Sequence, residues 1–122
     1  MIKNLIIGIY ILILSVFANS SAQAETKLKV VTTVAPITNI VYNVGGNKIA
    51  LHGIIPEGMD SHTFEPAPSD IKYIAEADLI IFNGLNLETP TEKLAKSRAK
   101  KGSKILKLGD NTITKKEWVY DF

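Results

Sequence analysis

The chain has 122 residues, no cysteine, 14 Lys and Arg against 12 Asp and Glu, and 46% hydrophobic residues. This composition excludes a disordered chain, a disulfide-stapled mini-protein and a protein with several membrane spans. The formal net charge of +2 argues against a dedicated nucleic-acid-binding protein, which needs a concentrated basic surface.

The first 24 residues contain the three parts of a secretory signal peptide. Lys3 supplies a positive charge, Leu5–Ala18 is a short apolar run, and Ala22-Gln23-Ala24 forms an Ala-x-Ala cleavage site. As a helix the apolar run reaches about 21 Å, short of the roughly 30 Å hydrocarbon core of a bilayer. We therefore expect a signal peptide over residues 1–24, cleaved after Ala24, rather than a membrane anchor.

The following residues alternate between strand and helix patterns. Apolar, β-branched runs predict four strands, at Leu28–Thr33, Ile49–Ile55, Leu79–Asn83 and Lys104–Leu108. Three helices are predicted between them, beginning near Pro36, at the N-cap Ser69 and at Thr89-Pro90, the last running to about Lys101. Beyond Gly109 no period is evident. This order predicts an α/β fold with a four-stranded parallel sheet and flanking helices.

The loop between Pro56 and Pro68 contains the residues with the clearest potential for chemistry. Its prolines restrict the backbone, Gly58 permits a tight turn, and His62 lies in its middle. Open α/β sheets bind ligands outside the carboxyl ends of their strands, where this loop begins. His62 is therefore a candidate ligand for a transition metal. The alternative is a hydrogen-bonded loop histidine, because one histidine does not define a metal site.

The same loop carries a resemblance to a known family. The segments VVTTVAPI, IIPEGMDSHTFEPAPSD and ADLIIFNGLNLE resemble the zinc/manganese-type solute-binding proteins of bacterial ABC metal importers, and the similarity runs from Lys29 to about Leu108. The resemblance implies two α/β lobes joined by a long helix, with metal held between the lobes. It matches His62 to the first metal-ligating histidine of that family. Residues 25–122 would then be the N-terminal lobe, incomplete because the later ligand positions are absent.

The resemblance also implies a function and a location. We expect a periplasmic binding component of an ABC transporter that captures Zn²⁺ or Mn²⁺, the transported ligand, and delivers it to a membrane permease. We expect a monomer that binds no nucleic acid and is not an enzyme, with no catalytic residue. Since no cysteine is present at the processing site, we expect a protein that is not a lipoprotein.

Other polar residues receive structural interpretations. His52, inside the second predicted strand, is interpreted as a structural or surface residue rather than a ligand. Glu65 is expected to hold the loop through backbone N–H groups. The basic residues of the third helix are interpreted as a solvated face rather than a phosphate site. These basic residues are Lys93, Lys96, Arg98, Lys100 and Lys101.

Two alternative functions remain open. The first is a truncated, non-transporting gene product, because the chain lacks most of the ligands that the resemblance implies. The second is a small exported metallohydrolase that uses His62 with Asp60 and Glu65. Such an enzyme needs at least three protein ligands and an open position for water, and the loop motif does not supply them convincingly.

Overall fold

A computed structural model describes residues 26–117 of the chain. The predicted signal peptide lies outside the described residues. The elements follow the order β1 (Leu28–Val34), α1 (Ala35–Gly45), β2 (Ile49–Ile55), α2 (Pro68–Glu76), β3 (Leu79–Phe82), α3 (Thr89–Arg98), β4 (Lys104–Lys107) and α4 (Leu108–Thr112), with 3₁₀ turns at Gly46–Lys48 and Lys115–Glu117. Within residues 26–117, no helix has both the length and the apolar character that crossing a membrane requires.

The four strands form one parallel sheet in the order β2-β1-β3-β4. In β1, Val31 pairs with His52 of β2 on one side and with Ile80 of β3 on the other. Because β1 lies between β2 and β3, the chain winds to one side of β1 first and then to the other. The carboxyl end of β1 is therefore the topological switch point of the sheet. The predicted α/β class and four-stranded parallel sheet are confirmed.

Helices cover both faces of the sheet, and each face has its own apolar core. A parallel sheet needs this double cover, since its strands are apolar on both sides. Under α2 and α3 the core is formed by Val31, Ile54, Ile55, Ile74, Ala77, Ile80, Phe82 and Ala95. Under α1 the core is formed by Val30, Ile37 and Ile81. The larger core on the α2 and α3 face holds the strand ends from which the candidate loop departs.

The start of α2 differs from the sequence prediction. The helix begins at Pro68 with Ala67 as its N-cap, two positions before the predicted N-cap Ser69. The Ala67 backbone N–H donates to Oδ2 of Asp70 at 2.9 Å. A carboxylate at the third helical position that accepts from the N-cap N–H is half of a capping box, so Asp70 rather than Ser69 defines the start of the helix.

The end of α3 and the segment after β4 also differ. α3 ends at Arg98, because Ala99 has left the helical region with ψ 139°. α4 follows β4 without a loop, in a segment where no period was evident. Its Gly109 N–H donates to the carbonyl of Asn83 at 2.8 Å, and Oδ1 of its Asp110 accepts from the backbone N–H of Leu85 at 3.0 Å. Five helical residues are too few to show a period, so contacts with the turn after β3 specify this helix.

Candidate metal-binding site

The carboxyl ends of the parallel strands meet at one edge of the sheet. The loop at residues 56–67 leaves this edge after β2 and carries His62. The turn at residues 83–88 leaves it after β3 and carries Glu88. Since β1 lies between β2 and β3, these two segments flank the switch point, which is the usual place for ligands in an open α/β sheet.

His62 has an exposed side chain in a compact turn built around Asp60. The His62 backbone N–H donates to Oδ1 of Asp60 at 2.9 Å, and the Thr63 hydroxyl donates to Oδ2 at 3.1 Å. The Phe64 backbone N–H donates to the Asp60 carbonyl at 3.0 Å. The backbone of the turn is thus held by hydrogen bonds while the His62 imidazole faces outward.

Asp60 therefore has the role that we had expected for Glu65. The bonds from the His62 N–H and then from the Thr63 hydroxyl hold the pKa of Asp60 below its ordinary value, because they stabilise the ionised carboxylate. Glu65 is exposed, and the hydrogen bonds that shape the turn go to Asp60. The expectation for Glu65 is wrong because the carboxylate of Asp60, two residues before His62, accepts directly from the His62 N–H and the Thr63 hydroxyl of its own turn.

The described part of the chain does not assemble a complete metal site. Within residues 26–117, no group of three His, Cys, Asp or Glu side chains lies close enough together to hold a metal ion. His62 therefore supplies a single imidazole. The metallohydrolase alternative with Asp60 and Glu65 finds no support here, because hydrolytic metal chemistry needs at least three protein ligands.

His52 contacts α2 with its side chain. Its Nε2 lies 2.8 Å from Oδ1 of Asp70. Its ring stacks on Tyr73, with centroids 3.7 Å apart and an interplanar angle of 11°. These contacts agree with the interpretation of His52 as a structural residue.

Glu88 is a site residue that the sequence analysis missed. Its side chain is 1% exposed. One carboxylate oxygen, Oε1, accepts from the Thr33 hydroxyl at 2.6 Å and from the Asn83 backbone N–H at 2.6 Å. The second oxygen, Oε2, is buried and has no hydrogen-bond partner in the described part of the chain. Glu88 thereby joins the ends of β1 and β3 at the switch point.

The sequence around Glu88 indicated only a turn. That interpretation is correct, since Gly84, Leu85 and Asn86 all have positive φ angles, of 82°, 57° and 62°. Positive φ is unusual for a leucine. The available signal for burial was the position of Glu88 between an apolar strand and the Thr-Pro helix start.

The basic residues in α3 and just after it are partly paired. Lys96 Nζ lies 2.7 Å from Oε1 of Glu92, and Lys107 Nζ lies 3.3 Å from the same oxygen. Lys100 pairs with Asp78 at 2.5 Å. These pairs support a solvated, ion-paired helix face rather than a phosphate site.

Comparison with known proteins places this architecture in a family. The family model described as ZnuA, zinc-uptake complex component A periplasmic, matches residues 30–120. The manganese ABC transporter substrate-binding lipoprotein PsaA of Streptococcus pneumoniae is 51% identical over 70 residues, which are 57% of this chain and 23% of PsaA. The metal ABC transporter substrate-binding lipoprotein SloC of Streptococcus mutans is 41% identical over 106 residues, 83% of this chain and 35% of SloC.

A solved structure shows the same fold. The periplasmic zinc binding protein TroA from Treponema pallidum matches with a TM-score of 0.64 and 31% identity, covering 75% of this chain and 32% of the TroA chain. The chain thus spans about a quarter to a third of the length of these relatives. PsaA and SloC are named as substrate-binding proteins, and neither name describes an enzyme.

The prediction about lipid attachment is contradicted. We expected a periplasmic protein that is not a lipoprotein, because the sequence contains no cysteine. PsaA and SloC are both named lipoproteins, so this prediction is wrong. Lipid attachment is a covalent modification, and the fold and packing of residues 26–117 carry no information about it.

The family assignment rests on the sequence match over residues 30–120 and on the parallel sheet shared with TroA. The sequence match includes the loop with His62 and the turn with Glu88. The sequence match and the shared fold confirm the resemblance to zinc/manganese-type solute-binding proteins. This chain belongs to the ZnuA family, the zinc-uptake complex component A proteins.

Proposed function

We propose that residues 25–122 form the N-terminal lobe of a receptor that captures Zn²⁺ or Mn²⁺ for an ABC importer. The observation that carries this proposal is the family match over residues 30–120, which includes the entire loop around His62. PsaA is named for manganese and TroA for zinc, so both metals are candidate substrates. In this proposal the metal is cargo and the membrane permease of the importer is the partner.

His62 is the proposed metal ligand of this lobe. Its imidazole is exposed at the carboxyl edge of the sheet, and the Asp60 turn holds the backbone on either side of it. A neutral imidazole is a common ligand for Zn²⁺ and a suitable one for other divalent transition metals. Loops on a rigid sheet are also the segments that carry binding residues in α/β proteins.

The remaining ligands must come from outside the described residues. One imidazole leaves three positions of a four-coordinate Zn²⁺ to water, which is too few protein ligands for tight binding. This chain spans only 23% to 35% of PsaA and SloC. We therefore infer that a second lobe supplies the missing ligands in a whole receptor, and that this chain alone is a weak binder.

Calorimetric titration of the chain with Zn²⁺ and then Mn²⁺ tests both parts of the proposal. We expect a dissociation constant on the order of tens of micromolar or weaker. His62→Ala should abolish the measurable heat of binding, whereas Glu65→Gln, a change of an exposed carboxylate in the same loop, should leave it unchanged.

Two results would contradict the proposal. If His62→Ala bound metal as well as the unchanged chain, His62 would not be the ligand. If the chain bound metal with nanomolar affinity that depended on His62, the site would be completed within this chain or by a second copy. Such binding would also count against the alternative of a non-transporting product.

A further inference from the structure

One carboxylate joins the two elements that flank the His62 loop. Asp70 Oδ1 lies 2.8 Å from Nε2 of His52, which belongs to β2, the strand before the loop. Asp70 Oδ2 accepts from the backbone N–H of Ala67, the last residue of the loop, at 2.9 Å. The Asp70 side chain is 13% exposed and that of His52 is 27% exposed, so water competes only partly for these bonds.

A second contact packs against the face of the His52 ring. Tyr73 lies three residues after Asp70, on the same face of α2, and its ring stacks on His52 at a centroid distance of 3.7 Å. The charges of Lys29 in β1 and Glu76 in α2 compensate each other, because their side chains pair at 2.8 Å. His52 is therefore held by one hydrogen bond and one stacking contact, both directed to α2.

The loop itself has few other constraints. Between Ile55 and Pro68 it is shaped by the Asp60 turn and by Phe64, which is partly buried against the core under α2 and α3. The freedom of a loop of this length depends on how firmly its two ends are held. The Asp70 contacts hold one end to the other, since they connect β2 with the last loop residue.

We propose that His52 and Asp70 are positioning residues for His62: together they fix the ends of residues 56–67 and so restrict where the His62 imidazole can lie. This inference rests on the proposed role of His62 as the metal ligand. His52 and Asp70 do not bind the metal themselves; they act through the loop.

Amide hydrogen exchange, followed by NMR on the whole chain, tests this inference. His52→Phe keeps an aromatic ring against Tyr73 but removes the hydrogen bond to Asp70. We expect the protected amides of His62 and Phe64 to exchange about fivefold faster, the effect of losing one typical hydrogen bond. The amides of β3 should exchange as before, because the sheet core is not altered.

Asp70→Asn serves as the conservative variant. Its amide oxygen can still accept from the Ala67 N–H, and its amide nitrogen can donate to Nε2 of His52 when the imidazole carries its proton on Nδ1, so loop exchange should stay close to that of the unchanged chain. Asp70→Ala removes both contacts and should raise loop exchange at least as much as His52→Phe.

Two outcomes would overturn the positioning role. Unchanged loop exchange in His52→Phe would show that the contact does not restrain the loop. A parallel increase in the loop and in β3 would show a general loss of stability instead. His62→Ala separates this inference from the proposed function, since it should leave loop exchange unchanged while metal binding is lost.

Discussion

Among single residues, Glu88 shows how one side chain organises the carboxyl edge. Its Oε1 accepts from Thr33 at the end of β1 and from Asn83 after β3, which joins neighbouring strands at the switch point. Burying a carboxylate costs free energy unless hydrogen bonds compensate it, and Oε2 lacks a partner in the described part of the chain. Replacing the Glu88 carboxylate by a group that cannot accept would therefore leave the Thr33 hydroxyl and the Asn83 N–H without a hydrogen-bond partner.

Glu88→Ala should lower the free energy of unfolding by about 2–4 kcal/mol, because the buried Thr33 hydroxyl and the Asn83 N–H lose their acceptor. Urea denaturation followed by circular dichroism measures this loss. Glu88→Gln is the matched control, since its amide oxygen can accept the same two bonds, and it should lose less than half as much. Equal stability of Glu88→Ala and the unchanged chain would show that the hydrogen bonds of Glu88 to Thr33 and Asn83 do not stabilise the fold.

Among the elements, the packing of α1 on β2 depends on a missing side chain. A Cβ placed on Gly53 would lie 2.7 Å from Oγ1 of Thr38 and 2.9 Å from its Cγ2. Thr38 has little freedom to move, since its hydroxyl lies 2.7 Å from that of Thr32 and donates to the Val34 carbonyl at 3.2 Å. The close approach of helix and strand therefore requires glycine at position 53.

Gly53→Ala should destabilise the chain by about 1–3 kcal/mol, the usual range for overpacking at a close contact. Thermal unfolding monitored by circular dichroism would show the change as a lower midpoint. The double variant Gly53→Ala/Thr38→Ala removes the crowding atoms and should recover part of the loss relative to Thr38→Ala alone. If the effects of the two single changes simply add, the proposed clash is absent.

Across the whole molecule, a second network ties the sheet together at its amino edge. Asp78 Oδ2 accepts from the backbone N–H of Lys29 in β1 at 2.8 Å, and Lys100, after α3, pairs with Oδ1. The Asp78 carbonyl also accepts from the Lys104 N–H at 2.9 Å. The bond from Lys100, followed by that from Lys29, holds the pKa of Asp78 below its ordinary value.

This shift predicts a dependence of stability on pH. A carboxyl whose pKa is lower in the folded state stabilises the fold above its unfolded pKa, and the contribution is lost as the pH falls through the folded value. The midpoint of thermal unfolding should therefore drop as the pH decreases from 5 toward 2. Asp78→Asn should be less stable at neutral pH, and its curve should approach that of the unchanged chain in acid. If the unfolding midpoints of the two proteins ran parallel over the whole pH range, the lowered pKa of Asp78 would not contribute to stability.

Much of the architecture was predictable from local sequence. The predicted second strand matches β2 at both ends, and the other strands agree within one residue, because short apolar runs bounded by Gly and Pro are local signals. The His62 loop was also recognisable, since its prolines, glycine and histidine lie within one continuous segment. The role of His62 as a ligand stays a prediction that the titration addresses.

Sequence by itself thus determined the order of elements from β1 to β4 and the position of the candidate loop, because these depend on residues close together in the chain. The alternation of strands and helices also predicted a parallel sheet. Only the tertiary structure decided the strand order β2-β1-β3-β4, the helix after β4 and the burial of Glu88. It also decided the partners of Asp70 and the need for Gly53. The reason is physical: these features arise from contacts between residues that lie far apart in sequence, and local periodicity contains no information about which distant atoms will meet.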